Sequence, residues 1–221
     1  MLPEVWRSLW VYGGSALGVT DGMNACQLGA IALSKKYIAG RRNFERIDLK
    51  DHYLVSFQLS NARLCLADLT SADLTDSFLE HADLTGAMMW RTQLECARLL
   101  WANLHQAVMV RCEADEANFT GANLHRADLR LASLRGACLA DADLRGAKLC
   151  YSDLRDANLT GADLTGADLT GAILTGASIK AVCWRAAVLP QEQLDLTIAA
   201  DLNRAVSKID TDPEPKPLMP V

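Results

Sequence analysis

From residue 41 the chain repeats a five-residue pattern of apolar and polar positions. The stretch 126–180 reads RADLR LASLR GACLA DADLR GAKLC YSDLR DANLT GADLT GADLT GAILT GASIK without a gap. With the fourth residue of each block taken as its centre, 30 centres run from Phe44 to Leu189 and 23 of them are Leu, where about five would be expected from the average Leu content. Two residues before the centre, 21 of the 30 positions are Ala. A period of five suits neither regular element. On an α-helix it advances by about 500°, leaving each Leu about 140° round from the last, so no apolar stripe forms. On a continuous strand alternate Leu would face opposite sides. The pattern is satisfied if the chain turns at every block, each block being one short side of a coil that closes after four sides, about 20 residues.

The run A-D/N-L-T/R-G resembles the pentapeptide-repeat family over residues 40 to 189. The resemblance implies an all-β solenoid, a right-handed quadrilateral parallel β-helix. On that fold the central Leu and the small residue two before it point inward, Leu filling the axis and Ala leaving room for it. The residues either side of the centre face solvent, and the Gly that often follows, as at Gly86 and Gly121, sits at a corner where positive φ is cheap. Residues 41–189 make about 7.5 coils, a rod roughly 36 Å long at about 4.8 Å per coil, with a solid core and no ligand cavity. Ala114 replaces a central Leu while Cys112 replaces the small residue in the same block, so volume lost at one position is partly restored at the other.

Stacked strands leave open edges at both ends, and both flanks read as caps. Residues 25–40 predict a short helix carrying Leu28, Ile31, Ala32, Tyr37 and Ile38, a basic last turn at Lys35 and Lys36, and Gly40 as its stop. The junction YIAGRRNFERIDL (37–49) is similar to that of cyanobacterial members of the family, one of which regulates heterocyst differentiation. Residues 190–209 predict a C-terminal helical cap on Leu194, Ile198 and Leu202. Residues 210–221, with four Pro in TDPEPKPLMPV and its neighbour, read as a disordered tail. Residues 1–24 form an N-terminal arm that holds Trp6, Leu9, Trp10, Val11 and Tyr12.

Composition fits this picture. Apolar residues are 50% of the 221 but aromatics only 6%, because 35 Leu and 33 Ala supply the repeat. A disordered chain would lack that Leu. Seven Cys without a C-x-x-C pair do not make a disulfide scaffold. A net charge of -5 excludes a strongly basic nucleic-acid binder. The N-terminus, with Glu4 and Arg7, does not read as a signal peptide, and the apolar tract from Leu9 to Leu33 is broken by Asp21, Asn24 and Gln27. A cytoplasmic protein with reduced thiols, bound to neither membrane nor nucleic acid, is expected.

Reactive constellations are absent from the sequence: no phosphate-binding Gly loop, no H-E-x-x-H, no G-x-S-x-G. No enzyme, metal or cofactor is expected. His105 and His125 are 20 apart and should stack one coil from each other, but a metal site normally takes three or four ligands and Arg145 continues the column. His52 occupies an inward position of the first coil and is expected beneath the cap. Cys112 points inward; Cys65, Cys96, Cys138, Cys150 and Cys183 point outward, and Cys26 lies in the cap.

Sorted by coil position, most outward columns are mixed polar surface. One face differs: Met88 stands beside Val108, Trp90 beside Val110, and Arg91 beside Arg111, with Leu131 and Tyr151 continuing the last column and Arg130 beside them. This apolar patch edged by Arg has the composition enriched at protein interfaces. Two occupants fit it, another protein or the arm 1–24. A homodimer could form through this patch or an end cap. Leu100 and Trp101 make a smaller exposed pair on another face. The function expected is a non-catalytic protein-binding scaffold or regulator. The alternative that the resemblance offers is a DNA mimic that occupies a topoisomerase (gyrase), as quinolone-resistance members do. That role goes with acidic stripes, Phe-rich centres and inserted loops. Residues 41–189 instead carry 19 acidic and 16 basic residues, net -3, with Phe44 and Phe119 the Phe centres.

Overall fold

A computed structural model describes residues 25–190. The arm 1–24, the C-terminal cap beyond Pro190 and the tail 210–221 lie outside the described residues. The chain from 43 to 188 is a β-helix solenoid built from parallel single-residue bridges, every one joining residues 20 apart, as in Asn43–Arg63, Asp48–Asp68, Tyr53–Asp73 and Gln58–Phe78. Each block contributes one bridge, and among the described residues no side extends into a longer strand. The corners come too soon: the chain pairs for one residue and then turns.

The block around Leu84 shows why the pattern needs its residue types, because all five of its N–H groups are satisfied. Asp83 N–H donates to Ala62 O of the preceding coil (2.9 Å), while Leu84 and Gly86 N–H donate to Asn103 O (2.7 Å) and His105 O (2.9 Å) of the next. Ala82 N–H closes the turn onto Leu79 O (3.0 Å). The fifth, Thr85 N–H, donates to the Asp83 side chain, Oδ1 (3.2 Å). All 14 Asp or Asn residues that precede a centre accept this bond. The polar residue before the Leu therefore completes the backbone accounting as well as facing solvent.

The axis is solid. Leu centres from Leu54 to Leu174 and the Ala positions from Ala62 to Ala172 are fully or almost fully buried. Phe119 fills its centre, and Ala114 and Cys112 are both buried, as their paired volumes predict. Three inward positions hold hydroxyls. Thr92 Oγ1 donates to Leu69 O (2.8 Å) and Ser152 Oγ to Leu149 O (2.8 Å), whereas Ser77 Oγ is buried without a partner.

The corners depart from expectation in one respect. Positive φ is not confined to Gly: every corner from Arg46 to Ala186 has φ between 55° and 75°, and 21 of these residues carry side chains. Each such residue costs about 1 kcal/mol against Gly. The inter-coil bond donated by the same residue, such as Leu66 N–H to Thr85 O (2.9 Å), holds it there.

Helix α1, Ala25–Ile38, covers the N-terminal end. It stops in a Schellman arrangement: Gly40, at φ 92°, donates to Tyr37 O and Arg41 donates to Lys36 O, both 3.0 Å. The packed face is Ala30, Leu33 and Tyr37, at helical spacing. This corrects the face expected from sequence, since Ile31 is half-buried, Ala32 is exposed and Ile38 is 63% exposed. Tyr37 ties the helix to the column by donating from its hydroxyl to Ser60 O (2.9 Å). His52 does lie beneath α1: a Cβ on Gly29 would come within 2.2 Å of its Nε2.

Candidate functional site, an apolar strip along one face

The face that holds Met88 begins as ordinary surface. Its column before the centre runs Asp48, Asp68, Met88, Val108, Asp128, Lys148, Asp168, Val188. Met88 and Val108 are bridged directly, and Met89 N–H to Val108 O (2.7 Å) fixes the register. Arg91 N–H to Val110 O (3.1 Å) likewise brings Trp90 beside Val110 and Arg91 beside Arg111, and Arg111 N–H to Arg130 O (3.0 Å) carries the register on to the next coil. Met88 and Trp90 are 47% and 39% exposed, and Val108 and Val110 are half-buried. The Arg91 guanidinium lies over the Trp90 ring, 4.5 Å from its centroid.

The structure brings six of the nine expected residues into this strip: Met88, Trp90, Arg91, Val108, Val110 and Arg111. Leu131 adjoins it, exposed, at the next corner. Arg130 is turned to another task, since its Nε and Nη2 each donate to an Asp128 carboxylate oxygen at 2.7 Å. Tyr151 leans away from the strip over Gly171, where a Cβ would meet its ring at 2.5 Å.

Two further polar groups belong to the strip. Met88 and Val108 stand where Asp or Asn would accept the N–H two residues on, and neither can. The N–H groups of Trp90 and Val110 accordingly find no acceptor among the described residues. The signal was present in the sequence as an aliphatic residue at an acceptor position.

Other groups singled out by sequence resolve into structural roles. His105 and His125 stack with ring centroids 5.3 Å apart and planes 11° apart, and Arg145 beyond them folds onto Asp143. Near-parallel rings keep their in-plane lone pairs in separate planes instead of converging them on one ion. Among the described residues no group of three or more His, Cys, Asp and Glu is placed to hold a metal. Burial pushes the Cys112 thiol up to about 12, while Cys96 and Cys183 are exposed on separate columns. Trp101, 57% exposed, lies flat over Gly121. Arg130, Arg145 and Arg155 are each paired with the Asp two residues before, so the later coils are less basic than their Arg content suggests.

A family model described as pentapeptide repeats matches the chain in eight copies, over residues 48–86, 62–99, 97–136 and 137–176. That span exceeds half of the sequence, and the chain belongs to the pentapeptide repeat family. HetL, a pentapeptide repeat protein involved in heterocyst differentiation regulation from the cyanobacterium Nostoc sp. strain PCC 7120, is 30% identical across 76% of this chain and 99% of its own, with a TM-score of 0.25. The pentapeptide repeat protein alr5209 from Nostoc PCC 7120 is 27% identical across 78% of this chain and 90% of its own, with a TM-score of 0.25. A trypsin-treated form of QnrB1, a plasmid-mediated fluoroquinolone resistance protein, is 20% identical across 75% of this chain and 83% of its own. Its TM-score is 0.56, a likeness that speaks to the fold alone. Among curated proteins none matches the chain.

Proposed function

We propose that this protein is a non-catalytic scaffold or regulator in the cytoplasm that binds another protein through an outer face of a right-handed, quadrilateral β-helical column. The observation that carries the reading is the contiguous strip of Met88, Trp90, Val108 and Val110, flanked along the same columns by Asp68 and Thr70 on one side and Asp128 and Arg130 on the other. A solid axis leaves function to the outside, and large exposed apolar side chains flanked by Arg are what protein interfaces concentrate. The regulatory part is supported by the 30% identity to HetL. No helix among the described residues is long and apolar enough to cross a membrane.

A second reading is the one that the resemblance to quinolone-resistance members offers, a DNA mimic that occupies gyrase; with QnrB1 the chain shares the fold. Electrostatic mimicry needs a strongly acidic rod, whereas residues 41–189 have a net charge of only -3. A gyrase supercoiling assay with a quinolone separates the readings. The scaffold reading expects supercoiling to be unprotected at stoichiometric protein; protection would favour the mimic.

A further inference from the structure

On the face that carries Met88 and Val108, the side chains of the strip include no carboxylate, and two backbone donors are left open. The Trp90 and Val110 N–H groups lie one coil apart in one column without acceptors among the described residues. Arg91 and Arg111, one coil apart in the next column, make no ion pair among the described residues. The neighbouring Arg130 is paired with Asp128, as Arg98, Arg145 and Arg155 are with carboxylates on other faces, while Arg126, Arg135 and Arg185 share the unpaired state of Arg91 and Arg111 but have no exposed apolar strip beside them. Arg91 is held over the Trp90 ring, so indole and guanidinium present one surface. The strip thus offers apolar area, two cations and two N–H donors, and no acceptor of its own between Asp68 and Asp128 in the bridging column.

Resting on the protein-binding reading above, we infer that the strip docks an acidic apolar segment of a partner protein. Its apolar side chains cover Met88, Trp90, Val108 and Val110, and its carboxylates meet Arg91 and Arg111. Complementarity selects this occupant. A donor left dry and unpaired at an interface is costly, so the partner must be rich in acceptors. Two coils span only about 5 Å between backbones, which suits a single helix or extended segment better than a broad face. A second copy meeting the strip face to face would set Arg91 and Arg111 against their own counterparts. The arm 1–24 carries Arg7 beside Trp6 as well as Glu4 and Asp21, so it would bring a cation along with its carboxylates to a strip that already has two.

The test uses the full chain with Met88→p-benzoylphenylalanine, photo-crosslinked in extract of the organism that encodes it. The crosslinked peptide is sequenced, alone and in Arg91→Glu/Arg111→Glu and Trp90→Asp backgrounds shown by circular dichroism to be folded. The expected adduct is a segment of another protein with carboxylates within one helical turn of the crosslink. Its yield should fall at least roughly tenfold on charge reversal. A neutral or basic segment, or a yield lost in Trp90→Asp but untouched by Arg91→Glu/Arg111→Glu, overturns the acidic partner and leaves the protein-binding reading standing. An adduct within this chain, for example to the acidic stretch 191–221, or with a second copy, overturns the occupant. No adduct from folded protein overturns both.

Discussion

The indole of Trp101 lies directly over Gly121, one coil on in the same corner column, so close that a Cβ on Gly121 would come within 2.2 Å of the ring. Gly166 occupies an equivalent corner at φ 67° with nothing within 4 Å of its would-be Cβ. Gly166→Ala should therefore cost only the conformational penalty, about 1 kcal/mol. Gly121→Ala should cost about 1 kcal/mol more, and Trp101→Ala should remove that excess in a double-mutant cycle. Denaturant unfolding of the four proteins checks this; equal costs at the two glycines would show that the indole yields freely.

Ser77 and Ser152 take the same inward position and differ in one bond. Ser152 Oγ donates to Leu149 O, and Ser77 Oγ has no partner. Ser152→Ala should destabilise by about 1 kcal/mol, and Ser77→Ala should stabilise by up to about that amount. The two thermal midpoints should move in opposite directions.

Hydrogen bonds from Arg145 hold the Asp143 carboxyl below its ordinary range, and Arg155 does the same for Asp153. At Asp128 partial burial works the other way and the Arg130 hydrogen bonds outweigh it. A carboxyl whose folded pKa is lowered contributes stability that is present above the ordinary Asp value and is lost as pH falls through the lowered one. Arg130→Gln/Arg145→Gln/Arg155→Gln should raise those three carboxyls and move the acid-unfolding midpoint to higher pH. An unchanged midpoint would show that the pairs are ornamental surface contacts.

Thiol chemistry should follow burial. At pH 8 the exposed Cys96 and Cys183 should be modified by a thiol reagent in the folded protein. Cys112, buried and with its thiol pushed up to about 12, should react only once the column unfolds. Peptide mapping after brief labelling reads this directly.

The column was legible in the sequence because a period of five leaves one geometry in which Leu49, Leu69 and their counterparts share an interior. The exceptions were legible for the same reason: Met88, Trp90 and Val108 stand out only against a regular background. What the pattern hid was backbone chemistry. Asp83 reads as a solvent-facing residue, yet it caps the Thr85 N–H, and the loss of that cap at Met88 and Val108 is visible only when the bonds are counted. Corner residues such as Leu66 and Trp101 share the φ of Gly because the inter-coil bond, not residue preference, sets it. The face of α1 was displaced from Ile31 and Ile38 to Ala30 and Leu33 because a short apolar helix lacks a polar stripe to fix its rotation. Arg130 and Tyr151 leave the strip through side-chain direction, which spacing does not encode.

For the partner binding proposed on the face of Met88 and Val108, Trp101 supplies the control, being a still more exposed tryptophan on a different face. Affinity capture of partner protein from extract of the encoding organism, quantified for the unaltered chain, Trp90→Asp and Trp101→Asp, tests that binding most directly. Trp90→Asp should lose a partner that Trp101→Asp retains, both variants keeping the circular dichroism of the unaltered column. Retention of every partner by Trp90→Asp, or its loss only in Trp101→Asp, would contradict the proposed binding.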